Sequence, residues 1–185
     1  ERYDMMVFDV KEVPIHGGSM RFYVCKKGSK YSSSVSEAVI LLEANERSKC
    51  FDQYKTFQNF SYTVDSHRVE LITLLNKLRK QGHTIAGYGA SGRANTMIQY
   101  CGINHDHLDY IIDDSSAKVG FYTPGSHFEI CTNSILNKFE LPDYLLIFAW
   151  SFFTEIRKKN SDYLSNGGHM ILPLPMISII PQHQQ

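Results

Sequence analysis

A glycine-rich turn between a strand-like and a helix-like run constrains this chain more than any other feature. Gly87, Gly89 and Gly92 form the pattern GxGxxG at that turn, and Asp113 and Asp114 close the next apolar run about twenty residues later. Glycines let the backbone turn tightly and approach a phosphate, while the amides and positive end of the following helix attract an anion. We therefore predict a Rossmann-like domain that binds a nucleotide or nucleotide-sugar phosphate where its first strand turns into a helix.

The same part of the chain alternates strand-like and helix-like runs. Apolar runs typical of buried parallel strands lie at residues 84–89, 108–114, 143–150 and 169–175. Helix-like runs lie between them at residues 92–100 and 152–164. Because crossovers between parallel strands are right-handed, such helices cover both faces of the sheet. The predicted fold class is α/β, with a small Rossmann-like, doubly wound, mostly parallel sheet over residues 83–180.

A β-hairpin and a helical segment are predicted before this domain. Two β-rich runs, at residues 5–13 and 20–25, are joined by a Gly-containing connection, and a lone hairpin is only marginally stable in water. We expect residues 1–27 to be the end of an upstream domain, since the chain also begins without Met. The helical pattern of residues 35–82 is a connector, either one long helix or two helices with a break around residues 62–66.

Composition indicates a soluble globular protein with small-molecule partners. The 19 basic and 19 acidic residues create no global field that would attract nucleic acid or an acidic membrane, and no apolar run reaches spanning length. The 4 cysteines form no CxxC pair, which favours reduced thiols in a cytoplasm over disulfides or a structural zinc site. We therefore predict no nucleic-acid partner, no membrane and no metal, and we expect a cytoplasmic location.

The predicted phosphate and substrate site consists of the glycine turn and the polar residues around it. Arg93, Asn95 and Thr96 can donate hydrogen bonds to a phosphate, and Asp113 stands where dinucleotide-binding folds place a ribose-binding carboxylate. The alternative is a tight strand-to-helix turn without any ligand. The turn residues of the predicted site are Gly87, Tyr88, Gly89, Ala90, Ser91, Gly92, Arg93, Asn95 and Thr96.

A second group of candidates lies in the loop GFYTPGSH at residues 120–127. This loop is expected to hang over the carboxyl edge of the sheet, where ligands of open α/β folds bind. Tyr122, Thr123 and His127 are its candidate sugar contacts, and a plain Pro-Gly turn is the alternative. Trp150, at the end of the third strand-like run, either stacks on a base or sugar or belongs to the core.

The histidines offer weaker candidates. His16, in the turn of the hairpin, is a candidate acid or base for a neighbouring active site, or an ordinary turn residue. His105 and His107 follow Cys101 closely, but a surface turn explains this group better than a metal site does.

Three stretches resemble the C-terminal region of the nucleotide-sugar C-methyltransferases. They are PIHGGSMRFYV at residues 14–24, IAGYGASGRANTMIQYCGI at 85–103, and the group DYIIDDS, YTPGSH and LPDYLLIFAW within 109–150. GGHMILPLP at residues 167–175 extends the resemblance over nearly the whole chain. In one position the chain departs from the family's glycine loop. The family has a small residue, then Lys or Arg, then Gly before Asn-Thr, whereas this chain has Gly92, Arg93 and Ala94 there.

The resemblance implies a C-terminal domain that binds the nucleoside diphosphate sugar in a sugar C-methyltransferase that uses S-adenosylmethionine. In that family, zinc-binding and S-adenosylmethionine-binding domains precede this region, so the cofactor and the catalytic base are expected upstream and the fragment alone is expected to be inactive. The hairpin at residues 5–25 is then the closing strand pair of the methyltransferase domain, and His16 faces the methyl-transfer cleft. The implied reaction removes a proton next to the sugar's ketone, and the enolate attacks the sulfonium methyl in line.

Two other functions fit parts of the pattern. A free-standing oxidoreductase would use GxGxxG for NAD, with Asp113 on the adenine ribose, although no hydride-transfer partner is evident in the sequence. A non-enzymatic Rossmann scaffold would keep the fold and leave its pocket empty.

Overall fold

The computed structural model describes residues 3–137 and 141–180. It divides the chain into two compact units, Glu1–Thr63 and Val64–Gln185, which are described separately below. In the described ranges, no helix combines the length and the apolarity that a membrane crossing requires.

The first unit contains a β-hairpin and a helix. Strands β1 (Met5–Val13) and β2 (Ser19–Lys26) pair antiparallel along their whole length. Helix α1 (Glu37–Ser48) lies against β1, and Val10 and Val39 are buried. The predicted hairpin is confirmed, and the helix supplies the packing that an isolated hairpin lacks.

The helical segment is broken at a different place from the one that its sequence indicates. Helix α2 (Tyr54–Lys80) is continuous through residues 62–66, and the break lies at residues 49–53. Cys50 there has a left-handed φ of 54°, which stops α1, and the Thr56 hydroxyl donates to the Cys50 carbonyl at 2.7 Å. No Gly or Pro marks this turn, so the sequence gives no signal for it.

The second unit is built on a six-stranded sheet. The strand order is β5-β4-β3-β6-β7-β8, in which β8 alone runs antiparallel to its neighbour. Counted from β3, this is the order 3-2-1-4-5-6 of dinucleotide-binding folds, whose ligands bind where the order reverses, here between β3 and β6. The strands are β3 (Ile85–Tyr88), β4 (Ile111–Asp113), β5 (Ile130–Thr132), β6 (Tyr144–Ile147), β7 (His169–Leu172) and β8 (Ser178–Ile180).

Helices cover both faces of this sheet, as the predicted doubly wound fold requires. Successive side chains of β3 point to opposite faces, so Ile85 belongs to one core cluster and Ala86 to the other. The first cluster contains residues of α2 and of α3 (Gly92–Cys101), and the second contains residues of α4 (Phe153–Lys159) and α5 (Ser161–Ser165). The helices that follow β3 and β6 therefore leave the sheet on opposite faces, and a crevice opens between their starts.

Candidate functional site

The glycine turn fits against the end of β6 because two of its residues lack a side chain. A Cβ on Gly87 would lie 2.6 Å from the buried ring of Phe148. Gly89 has a φ of 98°, and a Cβ there would lie 2.9 Å from the Cβ of Ala149. A Cβ on Gly92 meets nothing within 4 Å. The first two glycines are thus required by packing and by the backbone, and the third leaves open space at the start of α3.

A carboxylate fixes the conformation of this turn. Asp113, at the carboxyl end of β4 and 8% exposed, accepts hydrogen bonds from the amides of Ala90 and Ser115, both at 2.8 Å. The Lys118 ammonium contacts both the Asp113 carboxylate at 3.1 Å and the Ala90 carbonyl at 2.9 Å. Asp113 therefore holds the loop that would surround a phosphate, and its carboxylate is engaged by the protein itself.

The start of α3 presents a short run of backbone amides. Ser91 is the N-cap, and its hydroxyl accepts from the Ala94 amide at 3.2 Å. The first amides of a helix have no partner inside the helix, and in the described part of the chain those of Gly92 and Arg93 form no hydrogen bond. The next two polar side chains differ in their hydrogen bonding. The Thr96 hydroxyl donates to the Gly92 carbonyl, whereas the buried Oδ1 of Asn95 has no hydrogen-bond partner in the described part of the chain.

Arg93 crosses the crevice between the two halves of the sheet. Its guanidinium lies 5.1 Å from the centre of the Trp150 ring and donates to the Ser151 hydroxyl at 3.1 Å. Both partners follow β6, on the far side of the reversal point from α3. The ring and the hydroxyl hold the guanidinium in one orientation. Arg93 is also the second residue of α3, so this positive charge belongs to the same turn of chain as the free helix amides.

Tyr88 does not face the start of α3 but the opposite side of the sheet. Its ring is 2% exposed, and its hydroxyl donates to the Asp114 carboxylate at 3.0 Å. Burial raises the pKa of Tyr88 to about 12, although a hydrogen bond with the Asn160 side chain lowers the pKa and so offsets part of this rise. The phenol therefore keeps its proton near neutral pH and serves to position Asp114, which also contacts the Lys159 ammonium at 2.6 Å.

Contrary to the expectation from the sequence, the loop at residues 120–127 does not lie at the carboxyl edge of the sheet. Residues 120–123 pair antiparallel with residues 128–130 at the amino end of β5, with a bridge between Tyr122 and Glu129. The Thr123 hydroxyl is buried and contacts Ser126 and the Phe128 amide. The reason is that the chain crosses to the other end of the sheet before it enters β5. Tyr122 and His127 are exposed there, and their substrate contacts remain a prediction.

The histidine candidates contribute no described side chain to this crevice. His16 belongs to the turn between β1 and β2, and its side chain is not among those that the structure describes. His107, which is 8% exposed, accepts from the Asn104 amide in the turn between α3 and β4, and burial lowers the pKa of its ring. The described ranges contain no group of three residues placed to hold a metal ion.

Three residues of the crevice were not singled out from the sequence. Lys118 lies five positions after Asp113 in the chain, Ser151 directly follows Trp150, and Lys159 comes from the middle of a helix-like run. Only the strand order brings them to one edge of the sheet. Ser151 could have been found, because a polar residue that follows a strand next to the reversal point lies at the ligand-binding edge.

The sequence places this fold in a known family. The profile of the C-methyltransferase C-terminal domain matches residues 14–175. The chain belongs to this C-methyltransferase C-terminal domain family. C-methyltransferase NovU of Streptomyces niveus is similar to it, with 29% identity over 180 residues that make up 97% of this chain and 42% of NovU. The family predicted from the sequence is thus confirmed, and the chain spans less than half the length of this relative.

Proposed function

We propose that this chain is the substrate-binding part of a sugar C-methyltransferase that uses S-adenosylmethionine, and that it holds the diphosphate of a nucleoside diphosphate sugar. The observation that carries the proposal is the position of Arg93, which belongs to the first turn of α3 and whose guanidinium is held by Trp150 and Ser151. The family membership supplies the reaction class, and NovU is a C-methyltransferase by its name. S-adenosylmethionine and the group that removes the substrate's proton belong, in this proposal, to domains upstream of residue 1.

The contacts of Arg93 suit a diphosphate better than a single weak anion. Guanidinium groups bind phosphate oxygens through two parallel hydrogen bonds, and Arg93 shows one N–H donated to Ser151 while its face rests on Trp150. The Gly92 and Arg93 amides add donors from the backbone. Because the side chain is already oriented, little rotamer entropy is lost when a phosphate binds.

The same geometry disfavours the NAD-binding alternative. In dinucleotide-binding folds the carboxylate at the end of the second strand binds a ribose hydroxyl. Here Asp113 is 8% exposed and already accepts from two amides and one ammonium. An NADH titration that follows nicotinamide fluorescence checks this point, and the proposal expects no saturable signal.

Calorimetry on Arg93 variants tests the proposal. We expect Arg93→Met to weaken the binding of a nucleoside diphosphate sugar by about tenfold or more, since hydrogen bonds to charged groups contribute about 1.5–3 kcal/mol. Arg157→Met, an exposed arginine of α4, is the matched control and should leave the affinity unchanged. Equal affinities of the wild-type chain and the Arg93→Met variant would remove Arg93 from the site and the proposal with it.

A further inference from the structure

A pocket lies next to the glycine turn, which contributes Gly89 to its lining. It has a volume of about 280 Å³ and opens between the ends of β3 and β4 and the start of α4. Sites for whole drug-sized ligands are larger, at about 300–1,000 Å³. The pocket therefore has room for one ring of a ligand and not for a complete nucleotide sugar.

The polar lining of the pocket consists mainly of hydrogen-bond acceptors. Asp113, Asp114 and Glu155 contribute carboxylates, and Lys159 contributes the one ammonium among the lining residues. Tyr88 and Lys159 hold Asp114 in place, whereas Glu155 makes no ion pair or hydrogen bond in the described part of the chain. Repulsion excludes a phosphate from this lining, and groups that donate hydrogen bonds, such as sugar hydroxyls, suit it.

The pocket also has an apolar part of its lining. Phe152, which is 44% exposed, contributes to it together with Ala149 and Ile156. Sugar rings carry hydroxyls at their edge and C–H groups on their faces, so a lining that combines an aromatic ring with carboxylates offers a contact to each. A divalent cation would instead require several ligating groups that converge, and no such group of three exists in the described ranges.

The pocket and the Arg93 site share two residues of the crevice floor. Gly89 lines the pocket and belongs to the glycine turn, and Ala149 lines the pocket and directly precedes Trp150. Because Gly89 has no side chain, it approaches Ala149 closely enough that a Cβ would lie 2.9 Å from the Ala149 Cβ. A ligand whose diphosphate binds at Arg93 can therefore extend into the pocket within the same crevice.

We propose that this pocket binds a hydroxylated five- or six-membered sugar ring, with Asp114 and Glu155 as acceptors and Phe152 against the ring's apolar face. The inference rests on the proposed function, since the ring belongs to the ligand whose diphosphate Arg93 holds. The ring has two sources, the ribose of the nucleoside and the hexose at the other end of the diphosphate. Both present the same chemistry to the pocket, and the experiment separates them.

The test uses the chain with Glu155→Ala and the matched control Glu70→Ala, an exposed glutamate of α2. Calorimetry compares inorganic diphosphate, a nucleoside diphosphate and a sugar 1-phosphate. We expect Glu155→Ala to weaken the binding of the ligand whose ring occupies the pocket by about tenfold, and to leave inorganic diphosphate at the wild-type affinity. Glu70→Ala should change none of the three. A loss for the nucleoside diphosphate assigns the ribose, and a loss for the sugar 1-phosphate assigns the hexose.

Saturation-transfer NMR with an uncharged nucleoside and a methyl hexoside separates this inference from the proposed function. If inorganic diphosphate fails to bind the wild-type chain, the proposed function fails, while a signal from an uncharged ring that Glu155→Ala or Phe152→Ala removes still supports the pocket. If diphosphate binds but neither variant affects any ring-bearing ligand, the inference is wrong and the proposed function stands. Saturable binding of Mg²⁺ alone that Glu155→Ala abolishes would also overturn it, because the carboxylates would then form a cation site.

Discussion

Replacing Asp113 with Asn should release the glycine turn without disturbing the core. The carboxylate accepts from the Ala90 and Ser115 amides at 2.8 Å and from Lys118 at 3.1 Å. An Asn side chain has one acceptor oxygen, so in either orientation one of the two amides loses its acceptor. The Asp113 side chain is 10% exposed, whereas that of Lys118 is 43% exposed.

These contacts set the size of the effect. A hydrogen bond to a charged group contributes about 1.5–3 kcal/mol, and the half-exposed lysine adds at most about 1 kcal/mol because water screens it. The local stability of the turn should therefore fall by about 1.5–4 kcal/mol. Since about 1.4 kcal/mol corresponds to a factor of ten, amide exchange at Ala90 or Ser115 should accelerate by roughly 10- to 700-fold.

Hydrogen exchange followed by NMR measures this change residue by residue. The fluorescence of Trp150, the only Trp of the sequence, reports in parallel on the nearby crevice. Lys118→Met is the comparison variant and should show a much smaller acceleration at Ala90. If the Asp113→Asn variant exchanges at the wild-type rate at both amides, the Asp113 carboxylate does not hold the turn.

Two further predictions concern the turn and the opposite edge of the sheet. Gly89→Ala should lower the free energy of unfolding by about 1–3 kcal/mol, because it forces an L-residue into a φ of 98° and a Cβ against Ala149; urea unfolding that matches the wild type would contradict this. At the amino edge, burial tends to raise the pKa of Asp143, but hydrogen bonds from the Thr84 amide and hydroxyl, with His83 nearby, lower it overall. The stability that Asp143 contributes is therefore present above its unfolded pKa of about 3.9 and is lost as the pH falls through the lowered folded value. In the Asp143→Asn variant, the free energy of unfolding should therefore fall less steeply between neutral and acidic pH than in the wild type. Identical pH profiles of the two proteins would contradict this role of Asp143.

The sequence predicts the large elements of this fold because their patterns are long. The hairpin, the parallel strands β3, β4, β6 and β7, and the helices between them follow from apolar runs and periodicity. Strands β4, β5 and β8 have three residues each. β4 lies within the longer apolar run at residues 108–114, whereas only pairing with neighbours identifies β5 and β8. The turn at Cys50 likewise carries no Gly or Pro that would mark it.

The site was predictable in position and less so in the roles of its residues. The pattern GxGxxG and the alternation of elements place a crevice after Gly89, because the carboxyl ends of parallel strands meet at one edge. Sequence spacing does not show that Asp113 bonds to the turn itself, nor that Ser151 and Trp150 orient Arg93 from across the reversal point. Those contacts join positions far apart in the chain, and only the strand order determines them.

In the proposed complex, the start of α3 and Arg93 hold the diphosphate of the substrate. A titration of the isotopically labelled chain with a nucleoside diphosphate, followed through the amide signals of each residue, tests this binding site. We expect saturable shifts that are largest at Gly92 and Arg93, with smaller shifts at Ser151. Saturable shifts confined to the loop at residues 120–127, or no shifts at any ligand concentration, would rule this binding site out.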